Sequence, residues 1–492
     1  MNTRFTGIIA VTLFFFCSCA GSKKNYNPAK KYHPLRLQED YTLLQKILEA
    51  KHPSLYWYTD KEKMTGYFNS YYAKINDSMT EQQFTWHILA PLIDKIRCGH
   101  TSVSMSKAYG KWVTGKPIPA FPLYMKIWND TMAVTANLNF KKDSIFKRGT
   151  LVTSINGIPN NLLIKYMLEF LPTDGYAENV NYIRLSGNFP YFHRNIFGLS
   201  KNYRVTYKDS AGAEQKTVIP LFIPAKDSLR KDSIIRKERR RMPAEKRILQ
   251  YRSLIIDSTR LFATMTVNTF AHGQLRNFFR RSFRKLKKEN IKNLILDIRS
   301  NGGGRLGYST SLTKYISRKP FRVADSLYTQ SRGLGKYAKY IKGGFLNNIE
   351  MFFISRKKAD GNYHIGRLEK HYYKPKKNNY KGKVYVLING PTFSASTVFS
   401  NAVKGQQGIT FLGEETGGGW YGNSGIMIPD IKLPNTGVRV RLPLYRLVQY
   451  NHVAEKGTGV TPDIYVGTSY NALLKGYDKK MRVVKELIKN NP

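Results

Sequence analysis

Acidic residues are scarce in this 492-residue chain: 33 Asp and Glu stand against 80 Lys and Arg, a formal net charge of +47. That balance raises the question of a polyanionic partner. The cations, however, are spread through every segment and no nucleic-acid motif accompanies them, so no nucleic-acid partner is expected. The spread fits a general bias toward Lys, or attraction to an anionic membrane or an acidic envelope polymer. Cysteine is scarcer still. Of Cys17, Cys19 and Cys98, the first two sit near the N-terminus, which leaves no disulfide framework and no Cys-based metal site. Neither a metal nor another cofactor is implied. Long apolar runs are also missing, for past the N-terminus no stretch approaches the ~18 residues that a membrane span needs.

Apolar residues nonetheless make up 41% of the chain, with 33 Tyr and 26 Phe, so most of its length can bury a core and disorder is excluded over most of it. At roughly 150 residues per domain, the length suggests about three domains. After Arg4 an apolar run from Gly7 to Phe16 has the length of a signal-peptide core and is too short to span a bilayer. It ends in Phe16-Cys17-Ser18-Cys19-Ala20-Gly21, which resembles a bacterial lipobox with Cys19 as the lipidated residue; Phe16 stands where a Leu-like residue is usual. The resemblance implies a lipid-anchored protein of the cell envelope, facing the periplasm, in the outer membrane. Lys23 and Lys24, with no acidic run, agree with that side. A plain secretory signal is the alternative.

Periodicity divides the remainder. Leu43, Leu44, Ile47 and Leu48 share one helical face. Thr80-Glu81-Gln82-Gln83 reads as a capping box ahead of Phe84, Ile88, Leu92 and Ile96, and Gly99 as the helix stop. From Ile118 to Phe222 the period shifts toward two. Arg148-Gly149-Thr150-Leu151-Val152-Thr153-Ser154-Ile155-Asn156-Gly157 reads as a strand entering an Asn-Gly hairpin turn, Leu162 to Phe170 as a helix, and Tyr203 to Leu221 as a closing hairpin tipped by Ser210-Ala211-Gly212. This stretch resembles a PDZ domain. Beyond a basic segment containing Arg239-Arg240-Arg241, strands and helices alternate, which predicts βαβ units and a mixed or parallel sheet. The expected fold class is therefore α/β and multidomain: an N-terminal helical region, a PDZ-like β-rich domain and an α/β catalytic core with a mixed sheet. The expected boundaries are a lipoprotein signal peptide over 1–18, a tether over 19–35, a helical domain over 36–110, the PDZ-like domain over 111–224 and a basic linker helix over 225–258. The core then runs over 259–475 with an irregular insertion at 319–380, and a C-terminal helix covers 476–492.

Two segments carry chemistry. In Asp297-Ile298-Arg299-Ser300-Asn301-Gly302-Gly303-Gly304 a buried strand runs into three glycines and then a helix, which exposes backbone N–H groups to an anion or a developing oxyanion. A phosphate-binding loop fails on spacing, because no Lys-Ser/Thr pair follows the glycines. In Asn389-Gly390-Pro391-Thr392-Phe393-Ser394-Ala395-Ser396-Thr397 another apolar strand meets a tight turn and a helix start. Ser394 there is a nucleophile, or else Ser394 or Ser396 is merely an N-cap.

The pair of segments, with Gly413-Glu414-Glu415-Thr416-Gly417-Gly418-Gly419 downstream, resembles the carboxyl-terminal processing protease and tricorn-core family of serine peptidases. The resemblance covers residues 80–110 and 260–470. It implies Ser394 as nucleophile and an oxyanion hole from the N–H of Gly302 or Gly303 and that of Ala395. It also implies peptide or protein substrates, captured through the PDZ-like module and cut near their C-termini. The family's Ser–Lys branch needs a lysine where this chain reads Thr416-Gly417-Gly418-Gly419-Trp420, and Lys404, the only lysine between Ser394 and Trp420, falls on the wrong element. The tricorn-like branch uses a histidine, and Cys98-Gly99-His100-Thr101 resembles its motif, which makes His100 the base. Gly99 stands where that branch has a serine, so the serine's accessory role is open, with Thr101 one candidate. His52, His87 and His193 have structural readings. Near Gly459-Val460-Thr461-Pro462-Asp463 the resemblance implies a triad acid, assigned to Glu455 with Glu415 in reserve. The rival reading is an inactive member that acts as a peptide-binding scaffold of the envelope.

Overall fold

The computed structural model describes residues 26–141, 143–225, 242–450 and 456–490. The signal segment with Cys19, residues 226–241 of the basic linker and Glu455 lie outside the described residues.

The N-terminal region is helical. Pro34–Lys51 begins at His33, whose ring accepts the Leu35 N–H, and Lys61–Ala73 begins at Asp60, which accepts the Lys63 N–H. The Thr80–Gln83 capping box is reciprocal: the Thr80 hydroxyl accepts the Gln83 N–H and the Gln83 side chain accepts the Thr80 N–H. The next turns widen to a π-helix over Phe84–Leu89 and close with Ala90–Asp94. The stop differs from expectation. The left-handed residue is Arg97, with φ 56°, and Gly99 lies beyond it in the His100 turn.

The β-rich module is a six-stranded antiparallel sheet in the order Leu123–Trp128, Thr131–Asn137, Leu151–Ile155, Asn202–Lys208, Glu214–Pro220, with the short strand Ile158–Pro159 paired to Leu151–Ile155 off that path. Asn156 and Gly157 both take positive φ, as a tight hairpin turn requires. Helix Asn160–Leu168 follows where expected. Helix Asn179–Phe197, bent at Asn188 beside Pro190, was not legible as one unit.

The core sheet has six strands, Arg252–Ile256, Phe262–Val267, Asn293–Asp297, Lys383–Ile388, Ile409–Gly413 and Ile464–Tyr465. Its first pair is antiparallel and the rest are parallel. Alternation along one strand splits two layers. Leu294 and Leu296 face helices Leu275–Lys288, Leu306–Ile316 and Ala395–Val403, while Ile295 faces the C-terminal helix Lys479–Asn490. Strand Arg252–Ile256 lies in the stretch read as linker helix, so the sheet starts earlier than expected. Residues 319–380 are likewise not a structureless insertion. Strand Ala324–Thr329 pairs with Tyr445–Gln449 inside a second five-stranded sheet, with Gly422–Ile426 at one edge and Arg356–Lys357 at the other.

Candidate active site

The two glycine- and serine-bearing turns form one interlocked unit. Asn301, fully buried, donates from its amide to Val267 O at 3.0 Å, and its carbonyl accepts the Phe393 N–H at 3.1 Å. The Thr392 hydroxyl donates to Ile298 O at 3.0 Å. Arg299 ties the strand end to the C-terminal helix through paired bonds to Asp297 and Asp478, at 2.7–3.0 Å. Gly303, at φ 91°, sits so close to the serine turn that a Cβ would lie 2.8 Å from Ser394 Cβ and 2.9 Å from Ala395 N.

Ser394 precedes its helix with φ 56° and ψ −122°, a strained backbone for a residue with a side chain. Its hydroxyl caps nothing, which removes the N-cap reading. The Ala395 N–H and the Gly302 N–H make no hydrogen bond among the described residues. The Gly303 N–H is already given to Asn301 Oδ1 at 2.9 Å. Of the two candidate glycine donors, Gly302 therefore has the free N–H.

His100 is brought to the same place. Its ring lies over Phe393 at 4.9 Å between centroids. Gly99 is required there by space, since a Cβ would fall 2.6 Å from the Phe393 ring. The His100 side chain is buried, yet neither ring nitrogen makes a hydrogen bond. Gly425 completes the convergence: a Cβ on it would lie 2.8 Å from His100 Nε2, 3.0 Å from Ser394 Oγ and 2.9 Å from Asn423 Oδ1. Ser394 and His100 thus border one small space above the backbone of the outer strand.

The carboxylate beside His100 is Asp174, at 3.7 Å from Nδ1 and almost fully buried. It accepts the Gly99 N–H at 2.8 Å and the Gly419 N–H at 3.3 Å. Its turn is pinned by Gly175 N–H to Arg97 O and Tyr176 N–H to Gly457 O. No motif points to Asp174, which lies in the β-rich module. Glu415 is spent on the Gly459 N–H at 2.6 Å, and burial pushes its carboxyl above the usual range.

The other candidates separate from the site. The Thr101 hydroxyl bonds His52 Nε2 at 2.7 Å, so Thr101 holds the loop. Burial lowers His52 to a pKa of about 3 and His193 to about 4; the latter sits among Phe121, Phe189 and Tyr203. Lys404 is paired with Asp463. Cys98 is free and buried, and burial raises its thiol to about 12. Among the described residues no group of three or more His, Cys, Asp or Glu side chains is placed to hold a metal ion.

The match of the core to a known family supports the class of peptidase. Residues 262–466, the core of the chain, match the model of peptidase family S41. Among solved structures it is similar to mature CPAF complexed with lactacystin, at 14% identity and TM-score 0.62, over 93% of this chain and 99% of the other. It is similar also to mature CPAF alone, at 14% identity and TM-score 0.61, over 93% and 98%. At that identity the likeness is one of fold. Among curated proteins, no sequence matches this chain.

Proposed function

We propose that this chain is an exported serine endopeptidase that cuts peptides or proteins near their C-termini through an acyl-enzyme, with Ser394 as nucleophile and His100 as base. The observation that carries the reading is the shared space of His100 Nε2 and Ser394 Oγ over Gly425. Catalytic hydrogen bonds commonly tighten only when substrate is present. His100 Nε2 takes the Ser394 proton as Oγ attacks the scissile carbonyl, and the carbonyl oxygen becomes an oxyanion held by the N–H groups of Ala395 and Gly302. Collapse releases the amine, which receives the proton from His100, and water then repeats the sequence on the ester. Asp174 supports the imidazolium from the Nδ1 side. Glu455, the acid implied by resemblance, is the second candidate for that role.

Substrate binding fits the outer strand. Gly422–Ile426 has a partner on one side only among the described residues, and it runs past Ser394. An extended peptide can add there as a further strand, while the β-rich module, read as PDZ-like, captures a free carboxyl terminus in the same manner. Cys19 is the proposed lipid attachment, holding the enzyme on the outer membrane and facing the periplasm.

A serine-directed fluorophosphonate probe tests the chemistry. The unsubstituted chain is expected to label, and Ser394→Ala and His100→Ala to lose labelling while keeping the unsubstituted melting profile. A folded chain that binds peptide but never labels is the inactive scaffold instead. Normal turnover in His100→Ala means that another base serves.

A further inference from the structure

Helix Gly344–Ile354 turns apolar side chains to solvent. Phe345, Leu346, Ile349, Phe352 and Phe353 are 42–74% exposed. They fall at i, i+1, i+4, i+7 and i+8, one continuous stripe of the helix. The opposite side anchors it: Gly344 and Met351 are buried, and Asn348 accepts the Leu334 N–H at 2.7 Å. A loose segment has no such anchoring, and a soluble surface rarely carries five large apolar groups together. With 11 residues the helix is too short to cross a bilayer, which needs about 20.

Charge identifies what covers it. Exposed Lys336, Lys339 and Lys342 precede the stripe, and exposed Arg356 and Lys357 follow it. Glu350 is the single acidic residue between 332 and 358. A second copy of this chain would bring the same cations face to face. An anionic lipid surface satisfies both features at once, with rings and aliphatic groups entering the headgroup boundary and flanking cations meeting phosphates. We propose that Gly344–Ile354 is an interfacial helix that docks the protein on an anionic leaflet, independently of any acyl chain on Cys19.

The test uses the full chain carrying Cys17→Ala, Cys19→Ala and Phe353→Cys, with an environment-sensitive fluorophore on the new thiol; Cys98 is buried and stays unlabelled. Mixed phosphatidylglycerol–phosphatidylcholine vesicles should shift its emission to the blue, and pure phosphatidylcholine vesicles or high salt should reduce the shift. The same dye at Val218→Cys, exposed on the β-rich module, should not respond. In a companion experiment, Phe345→Ser with Phe353→Ser should weaken vesicle binding by about tenfold and leave fluorophosphonate labelling intact. The proposal is overturned by an unchanged emission with anionic vesicles. It is equally overturned by a lipid-independent shift that grows with protein concentration, which identifies a second copy as the occupant.

Discussion

Gly425 shows how much a single missing methyl can decide. Its φ lies outside the left-handed region, so an alanine fits the backbone, but the added carbon would stand within 3.0 Å of both Ser394 Oγ and His100 Nε2. Gly425→Ala is expected to melt within a few degrees of the unsubstituted chain and to lose about 10²-fold or more in kcat/KM, measured on a peptide substrate. Asp174 makes a complementary case. Asp174→Asn keeps one acceptor for the Gly99 N–H but removes the charge that faces His100 Nδ1. A kcat loss of about 10²-fold with little change in KM is expected. A larger loss in Glu455→Gln would hand the role to Glu455. At this scale the sequence was informative where chemistry imposes a local pattern: Ser394 and the glycine turn announce themselves by the strand-turn-helix context. Asp174 does not, because its proximity to His100 is created by a turn pinned to Arg97 and Gly457, neither of which is near it in sequence.

Among elements, the helical segment before His100 holds a buried acid. Asp94 is 2% exposed, and burial raises its pKa to about 7, against the opposing pull of Arg97 and Lys95 and with Glu169 and Glu178 adding to the rise. Between its unfolded value near 4 and about 7, the native state holds the proton that the unfolded chain has lost. Stability from this group is therefore present at low pH and falls as pH rises through that window. Asp94→Asn is expected to raise Tm by about 2 °C or more at pH 8 and by less at pH 4, in parallel calorimetric scans. The legibility of elements followed the reach of their hydrogen bonds. The Thr80 capping box and the Asn156-Gly157 turn close within a few residues and were readable. The second sheet was not, since Ala324–Thr329 finds its partner only at Tyr445–Gln449, with a register shift between Ala324 and Ser326. The basic stretch before the core was misread for a related reason: Arg252–Ile256 is a strand only because Phe262–Val267 lies beside it.

Over the whole molecule, the excess of +47 acts as self-repulsion, which salt screens. Raising ionic strength from about 10 mM to about 200 mM is expected to raise Tm, while binding to anionic vesicles weakens over the same range. The α/β multidomain class was legible because alternating strands and helices fix a parallel sheet, whereas the meeting of three regions at one site was not. His100 comes from the helical N-terminal region, Asp174 from the β-rich module and Ser394 from the core. On the proposed roles, synthesis makes the base first and the nucleophile last, so a chain still emerging from the ribosome has no means of hydrolysis. With the proposed chemistry, the order of translation itself shields the cell, and any cut that lets the front of the chain drift from its core would disarm that chemistry without touching Ser394.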